Sequence, residues 1–320
     1  MAKMKDENKN IRSGGKERSA FIALVGRPNV GKSSLLNRML GQKVAIVSDK
    51  PQTTRTRIMG VLTRGDDQLV FIDTPGFHKP RNRLGENMMR AVGEGLSDVE
   101  ACVLVVEAAP KFHFDPAHLP PAEKELLETI KRRKLKAILA INKIDLLENK
   151  DELLPMMRAY TEAYDFTAVV PLSAANGDGV DALERELLPL TQPGPHFFAE
   201  EDVTDQPDRV MVAEIIREKL LRSLDKEVPH GIAVGLERFY ERDSASGEPI
   251  LEIEAVIYCE RDSHKGIIIG KKGAMLKKVG MLARQDIEAF FGCKTNLQLW
   301  VKVKEDWRNR PGLIHGFGLD

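Results

Sequence analysis

The run Gly26-Arg27-Pro28-Asn29-Val30-Gly31-Lys32-Ser33 constrains this chain more than any other feature. It satisfies G-x-x-x-x-G-K-[ST], directly after the apolar FIALV and before the helix-like SSLLNRML that opens at Ser33 and Ser34. Glycines in such a loop let backbone N–H groups curl around a phosphate chain, and the following helix presents its positive end. Lys32 is placed to neutralise β- and γ-phosphates, and Ser33 to offer its hydroxyl to Mg²⁺. Strand, loop and helix in this order demand an α/β sheet with its ligand outside the carboxyl ends of the strands.

The rest of the first 190 residues keeps that rhythm. QLVFI, ACVLVVEAA, KAILAI and TAVVPL are short apolar runs, each followed by a polar loop, as in a doubly wound α/β fold. The sharp motifs sit in those loops. Asp73-Thr74-Pro75-Gly76 follows QLVFI, where a carboxylate can hold Mg²⁺ through water and a glycine N–H can meet a γ-phosphate. Asn142-Lys143-Ile144-Asp145 follows KAILAI, and the Asp145 carboxylate matches the paired N–H donors of guanine, which adenine lacks. A carboxylate left unpaired by the wrong base discriminates strongly, so GTP is preferred over ATP. Ser173-Ala174-Ala175, after TAVVPL, can turn backbone N–H groups toward the guanine carbonyl.

These four motifs resemble the translation-factor-like GTPases over residues 21–190. The resemblance implies that Pro51-Gln52-Thr53-Thr54-Arg55 is the first switch loop, with Thr54 reaching Mg²⁺ when GTP is bound and Thr53 in reserve. It implies catalytic parts for Lys32, Thr54 and Gly76. Phe77 stands where Ras-like enzymes carry the glutamine that orients the attacking water, so intrinsic hydrolysis is expected to be slow. Asn29 resembles the asparagine that coordinates K⁺ in some GTPases; an Asn that only fixes the turn explains it as well.

At 320 residues the chain exceeds the size at which single cores stop growing, so two domains are expected. Its 48 Lys and Arg balance 48 Asp and Glu, and nucleic-acid binding must therefore come from a local patch. Cys102, Cys259 and Cys293 are widely spaced, which argues against a disulfide framework or zinc site. The apolar runs fall short of the roughly 20 residues that span a bilayer. Residues 1–18 are expected to form a disordered basic arm, 19–190 the GTPase domain, and the Pro- and acid-rich 191–209 a linker.

In the second half an amphipathic helix (MVAEIIREKLLRSL) precedes two strand-like runs, GIAVGLERFYE and PILEIEAVIYCE. A helix, Gly270-Lys271-Lys272-Gly273, a longer helix and TNLQLWVKVK follow. G-x-x-G between two helices is the clamp of KH domains, which grip about four nucleotides. Lys265, Gly266, Lys271, Lys272, Lys277 and Lys278 would meet phosphates, with Arg261 and Arg284 adding to the patch, while Ile267, Ile268 and Ile269 would accommodate bases. The order is that of a smaller α+β, type II KH domain over 210–305, leaving 306–320 as a tail. Trp307 remains open to RNA stacking, whereas Trp300 is expected to pack.

GRPNVGKSSLLN, PQTTRTR, DTPGF, NKID and HKGIIIGKKG together resemble the bacterial Era GTPases across nearly the whole chain. That resemblance implies a GTP/GDP switch using Mg²⁺, with K⁺ as a further cation. It implies binding near the 3′ end of 16S ribosomal RNA and a part in 30S subunit maturation. It also implies a cytoplasmic monomer, a fraction of which touches the inner membrane peripherally. The segment KFHFDPAHLPPAEK and the basic arm depart from the family pattern. A GTPase of tRNA modification and a membrane-surface or cell-cycle switch are the alternatives. The first lacks its functional cysteine here, and the second is separated by charge reversal at Lys271 and Lys272.

Overall fold

The computed structural model describes residues 17–108, 119–244 and 247–319. Most of the expected basic arm, most of the segment after ACVLVVEAA, and Asp320 lie outside them.

The first sheet is built from β1 (Arg18–Val25), β2 (Ile58–Arg64), β3 (Asp67–Asp73), β4 (Ala101–Glu107), β5 (Lys136–Asn142) and β6 (Ala168–Pro171), in the order β2-β3-β1-β4-β5-β6. All neighbours are parallel except β2, which runs antiparallel to β3. The apolar runs are continuous because helices cover both faces of the sheet. These are α1 (Lys32–Leu40), α2 (Arg83–Gly95), α3 (Pro121–Arg133), α4 (Leu153–Ala163) and α5 (Val180–Leu187). Alternate residues of one strand feed two different cores: Leu24, Val103 and Val105 pack on one side, Val25, Leu104 and Val106 on the other.

Strand β2 was not among the expected runs. Its signal is the two-residue Gly65-Asp66 turn, in which Gly65 takes φ 61° and Arg64 pairs with Asp67. The stretch expected to be a linker is strapped to this first sheet. Its short β7 (Gln192–Pro193) pairs with β1, Val61 N–H donates to Val203 O, and fully buried Gln68 binds the backbone of Phe197 and Phe198.

The second sheet has the order β10-β9-β8: β8 (Ala233–Asp243) antiparallel to β9 (Pro249–Cys259), and β9 parallel to β10 (Lys294–Val303). Helices α6 (Asp208–Ser223), α7 (Asp262–Ile269) and α8 (Ala274–Phe291) cover one face around Ile215, Ile253, Ile268 and Ile287. The expected tail instead folds. Trp307 is fully buried, its indole N–H donating to Gly231 O, and α9 (Pro311–Gly316) sets Ile314 with Trp307 against Leu84 and Met88 of α2. Trp307 therefore offers no face to RNA. Trp300 departs from expectation in the other sense: it stands on the outer face of β10, 54% exposed.

Candidate functional site

Both phosphate-loop glycines are there because nothing larger fits. A Cβ on Gly26 would lie 2.3 Å from Val105 O, and one on Gly31 would lie 2.2 Å from the Asn142 amide nitrogen. Asn142 is the brace behind this closeness. Its amide donates to Val30 O at 2.8 Å while its Oδ1 accepts from the N–H groups of Lys143 and Ala174. One buried side chain thus joins the phosphate loop to both loops expected to hold guanine. Asp145 is exposed and accepts from Ser173 Oγ at 2.5 Å; Arg38 of α1 donates to the carbonyls of Ala174 and Ala175.

Lys32 is buried at the mouth of the loop and donates to the carbonyls of Gly26 and Arg27 at 3.2 and 3.1 Å. Burial lowers its pKa to about 8 against the opposing pull of Asp73. Burial likewise raises Asp73, although Lys32, Ser33 and Thr54 all favour its charge. Ser33 Oγ donates to Asp73 Oδ2 at 2.6 Å and lies 2.9 Å from Thr54 Oγ1, which is 3.5 Å from the same carboxylate oxygen. Asp73 Oδ1 is buried without a partner among the described residues. Three converging hard oxygens and an orphaned carboxylate oxygen fit Mg²⁺. Of the two threonines, Thr54 is the one that reaches this point, since the Thr53 hydroxyl donates to Lys50 O.

Gly76 lies so close to the loop that its Cβ would meet Pro28 Cα at 2.6 Å, and Phe77 N–H donates to Gly26 O. Thr74 donates to Leu24 O, which ties the segment Asp73–Gly76 to β1. Asn29 adopts φ 65° and donates its side-chain amide to Asp49 O at 2.6 Å, so it bridges the phosphate loop to the stretch just before the expected switch loop. Together Pro28, Asn29, Gly31–Ser34, Thr54, Gly76 and Lys143 line a cavity of about 440 Å³.

Two parts of the arrangement carried no sequence signal. Glu123 of α3 is fully buried, pairs with Arg27 Nε at 2.5 Å and accepts from the Tyr160 hydroxyl of α4. The phosphate loop is thereby pinned from behind. The switch segment is also gripped by the second domain. Arg217 donates to the carbonyls of Gln52 and Thr53, and Glu218 accepts from Lys43 Nζ at 2.6 Å and from Val47 N–H at 3.0 Å. Burial opposes the charge of Glu218, yet Lys43, the Val47 N–H and Lys219 outweigh it and hold the pKa below the ordinary carboxylate value. Arg55, next to Thr54, is buried in the second domain. It donates to the carbonyls of Ile232 and His230 and lies over the Trp307 ring at 5.7 Å.

In the second domain α7 ends at Gly270, whose φ of 73° and distance to Met275, 2.7 Å between a Cβ and Met275 Cβ, exclude any side chain. Lys272 takes φ 52° and Gly273 φ 80°, and the turn leads into α8. Lys271, Lys272, Lys277 and Lys278 are exposed on this turn and the first turns of α8; Lys265 is half-buried and Gly266 exposed. Ile267 is 50% exposed, but Ile268 is fully buried, because a helical step of 100° turns it into the core. It does not belong to the expected base-contacting surface, which falls to Ile267 and the half-buried Ile269.

This fold and this site define a phosphate-loop GTPase joined to a KH-type module. Residues 21–143 match the family described as 50S ribosome-binding GTPase, and residues 227–308 match the KH domain. The chain belongs to the Era GTPase family: it is 47% identical to GTPase Era of Clostridioides difficile over 95% of its own length and 99% of that protein's. GTPase Era of Ruminiclostridium cellulolyticum is 46% identical over 94% and 97%. Among solved structures, an Aquifex aeolicus Era variant bound to GDP·AlF4⁻ superposes with TM-score 0.87 at 36% identity, covering 94% of this chain and 99% of that one. Era in complex with MgGDPNP and nucleotides 1506–1542 of 16S ribosomal RNA also gives 0.87 at 36%, covering 95% and 99%.

Proposed function

We propose that the chain is a GTP-hydrolysing switch that binds the 3′ region of 16S ribosomal RNA through its KH module and assists maturation of the 30S subunit. The observation that supports this most is the near-full-length likeness to an Era structure holding that RNA together with MgGDPNP. The site residues are consistent with it. Lys32 meets the β- and γ-phosphates once it exchanges its two carbonyl partners for phosphate oxygens. Ser33 and Thr54 would hold Mg²⁺, with Asp73 reaching it through water, and the ion would neutralise phosphate charge. The Gly76 N–H faces the γ-phosphate, Asp145 reads guanine, and Ala174 and Ala175 close over the base. Phe77 has no group to orient water and packs toward the core beside α2, which supports a slow intrinsic rate. Asn29 is the candidate K⁺ ligand, and equal hydrolysis in K⁺ and Na⁺ buffers would remove that part.

The family resemblance supports a cytoplasmic monomer, with a fraction at the inner membrane. Among the described residues no helix is long and apolar enough to cross a membrane. Crosslinking the protein to cellular RNA and sequencing the adducts tests the reading. Adducts should concentrate at the 3′ end of 16S RNA and be lost in K271D/K272D; an even spread over cellular RNA contradicts it.

A further inference from the structure

A cavity larger than the nucleotide site lies elsewhere in the molecule. It is a cleft of about 850 Å³ between the two domains, with Pro28 of the phosphate loop and Gln52 of the switch segment at its floor. The stretch from His78 to Asn82 forms one wall, and the start of α7 with Arg308 forms the other. Lys79 and Arg81 on the first wall and Arg261 on the second are exposed cations with no ion-pair partner among the described residues. Arg308 differs, because its guanidinium is held by Glu260 at 2.5 and 3.0 Å. Glu227 is the cleft's other carboxylate, 69% exposed and 3.9 Å from His264 Nε2. Like charges facing each other across a concave surface focus a positive field there.

The lining also holds polar groups that the protein leaves unmatched. His264 is 5% exposed and its Nδ1 has no partner among the described residues; nor, buried as they are, do Gln52 Oε1 and His78 Nε2. Such atoms carry a desolvation cost until something meets them. An imidazole nitrogen can meet an oxyanion as donor or a hydroxyl as acceptor, and an amide oxygen suits a hydroxyl. A phosphate ester bearing a sugar hydroxyl offers both, as every residue of RNA does. His78 links the cleft to the chemistry, since its Nδ1 lies 2.9 Å from Gly76 O.

We propose that this interdomain cleft is a second phosphate-binding site, in which Lys79 and Arg81 of one domain and Arg261 of the other hold a phosphate ester that bridges them. The inference rests on the RNA-binding reading above and extends it. Helix α7 carries Arg261 at its entrance and the GKKG loop at its exit, eight residues or about 12 Å away. A single strand gripped at the loop can thus run back to the cleft and touch the segment that carries Gly76.

The test uses the full chain loaded with GDP and Mg²⁺, so that the nucleotide site is filled. A labelled single-stranded RNA and inorganic pyrophosphate are titrated separately into wild type, K79A/R81A, R261A and K271D/K272D. All the altered side chains are exposed, and melting curves confirm that the variants fold. With RNA as the ester, K79A/R81A and R261A each weaken RNA binding about five- to tenfold, and the salt slope falls by roughly one per phosphate contact removed. A loss confined to pyrophosphate supports the site with a free phosphate compound as its ligand. Unchanged affinity for both ligands in both cleft variants overturns the proposal. Retention of RNA affinity by K271D/K272D alone counts against the clamp and leaves the cleft standing.

Discussion

Lys32 shows how one residue ties burial to function. Its pKa of about 8 in the nucleotide-free protein reflects burial, and phosphate binding must raise it by supplying negative charge. A group whose pKa rises on binding takes up a proton above its free value, so GTP affinity should be flat below pH 8. By pH 9 it should fall about tenfold. Fluorescent-nucleotide titrations between pH 7 and 9 check this; a flat profile would contradict it. Glu123 makes a second case. Arg27→Met strands a fully buried carboxylate, whereas Glu123→Gln removes the charge and leaves Arg27, 38% exposed, to water. Breaking a buried pair from one side is the costlier change. R27M should lose about 2 kcal/mol by denaturant unfolding and E123Q less, with the double variant recovering most of the R27M loss. Equal losses in R27M and the double variant would contradict this account of the pair.

At the scale of elements, the nucleotide loops and the GKKG turn follow a local grammar that reads directly from sequence. Gly26, Gly31 and Gly270 stand where the backbone approaches something within a Cβ radius, and Asp73 and Asn142 end their strands at the sheet's carboxyl edge. Gly270→Ala should therefore disable the clamp more than Gly273→Ala, which meets strained φ but open space. RNA affinity and melting temperature measured together distinguish the two; equal effects would contradict the steric argument. Helix α6 was legible as a helix but not as one buried nearly all round, Arg217 to Leu221 included, nor was its second role legible. Glu218 lies 175 residues from Lys43 and 171 from Val47, a distance over which spacing and periodicity carry no information. Glu218→Ala should free the segment 43–57, seen as faster proteolysis there with little change in GDP affinity. Because the Glu218 pKa is depressed, this grip is complete at neutral pH and is lost only as pH falls through its lowered value. Trp307 could not be decided for a related reason: an aromatic among Lys304, Arg308 and Arg310 can be read as an RNA contact until the surface that buries it is known.

For the whole molecule, the segment around Thr54 and the helix that follows Gly76 are both fastened to the second domain. Thr54 reaches the expected Mg²⁺ position while its neighbour Arg55 is buried beside Trp307 and His230, and α2, which follows Gly76, packs on α9. Reordering around a γ-phosphate must then disturb these contacts, and coupling between nucleotide and RNA is reciprocal in free energy. The most direct test is the RNA dissociation constant of the full chain, measured at one salt concentration with GDP and with a non-hydrolysable GTP analogue. The account predicts a difference of at least about fivefold, the lower end of typical coupling energies. The same dissociation constant in both nucleotide states would contradict it.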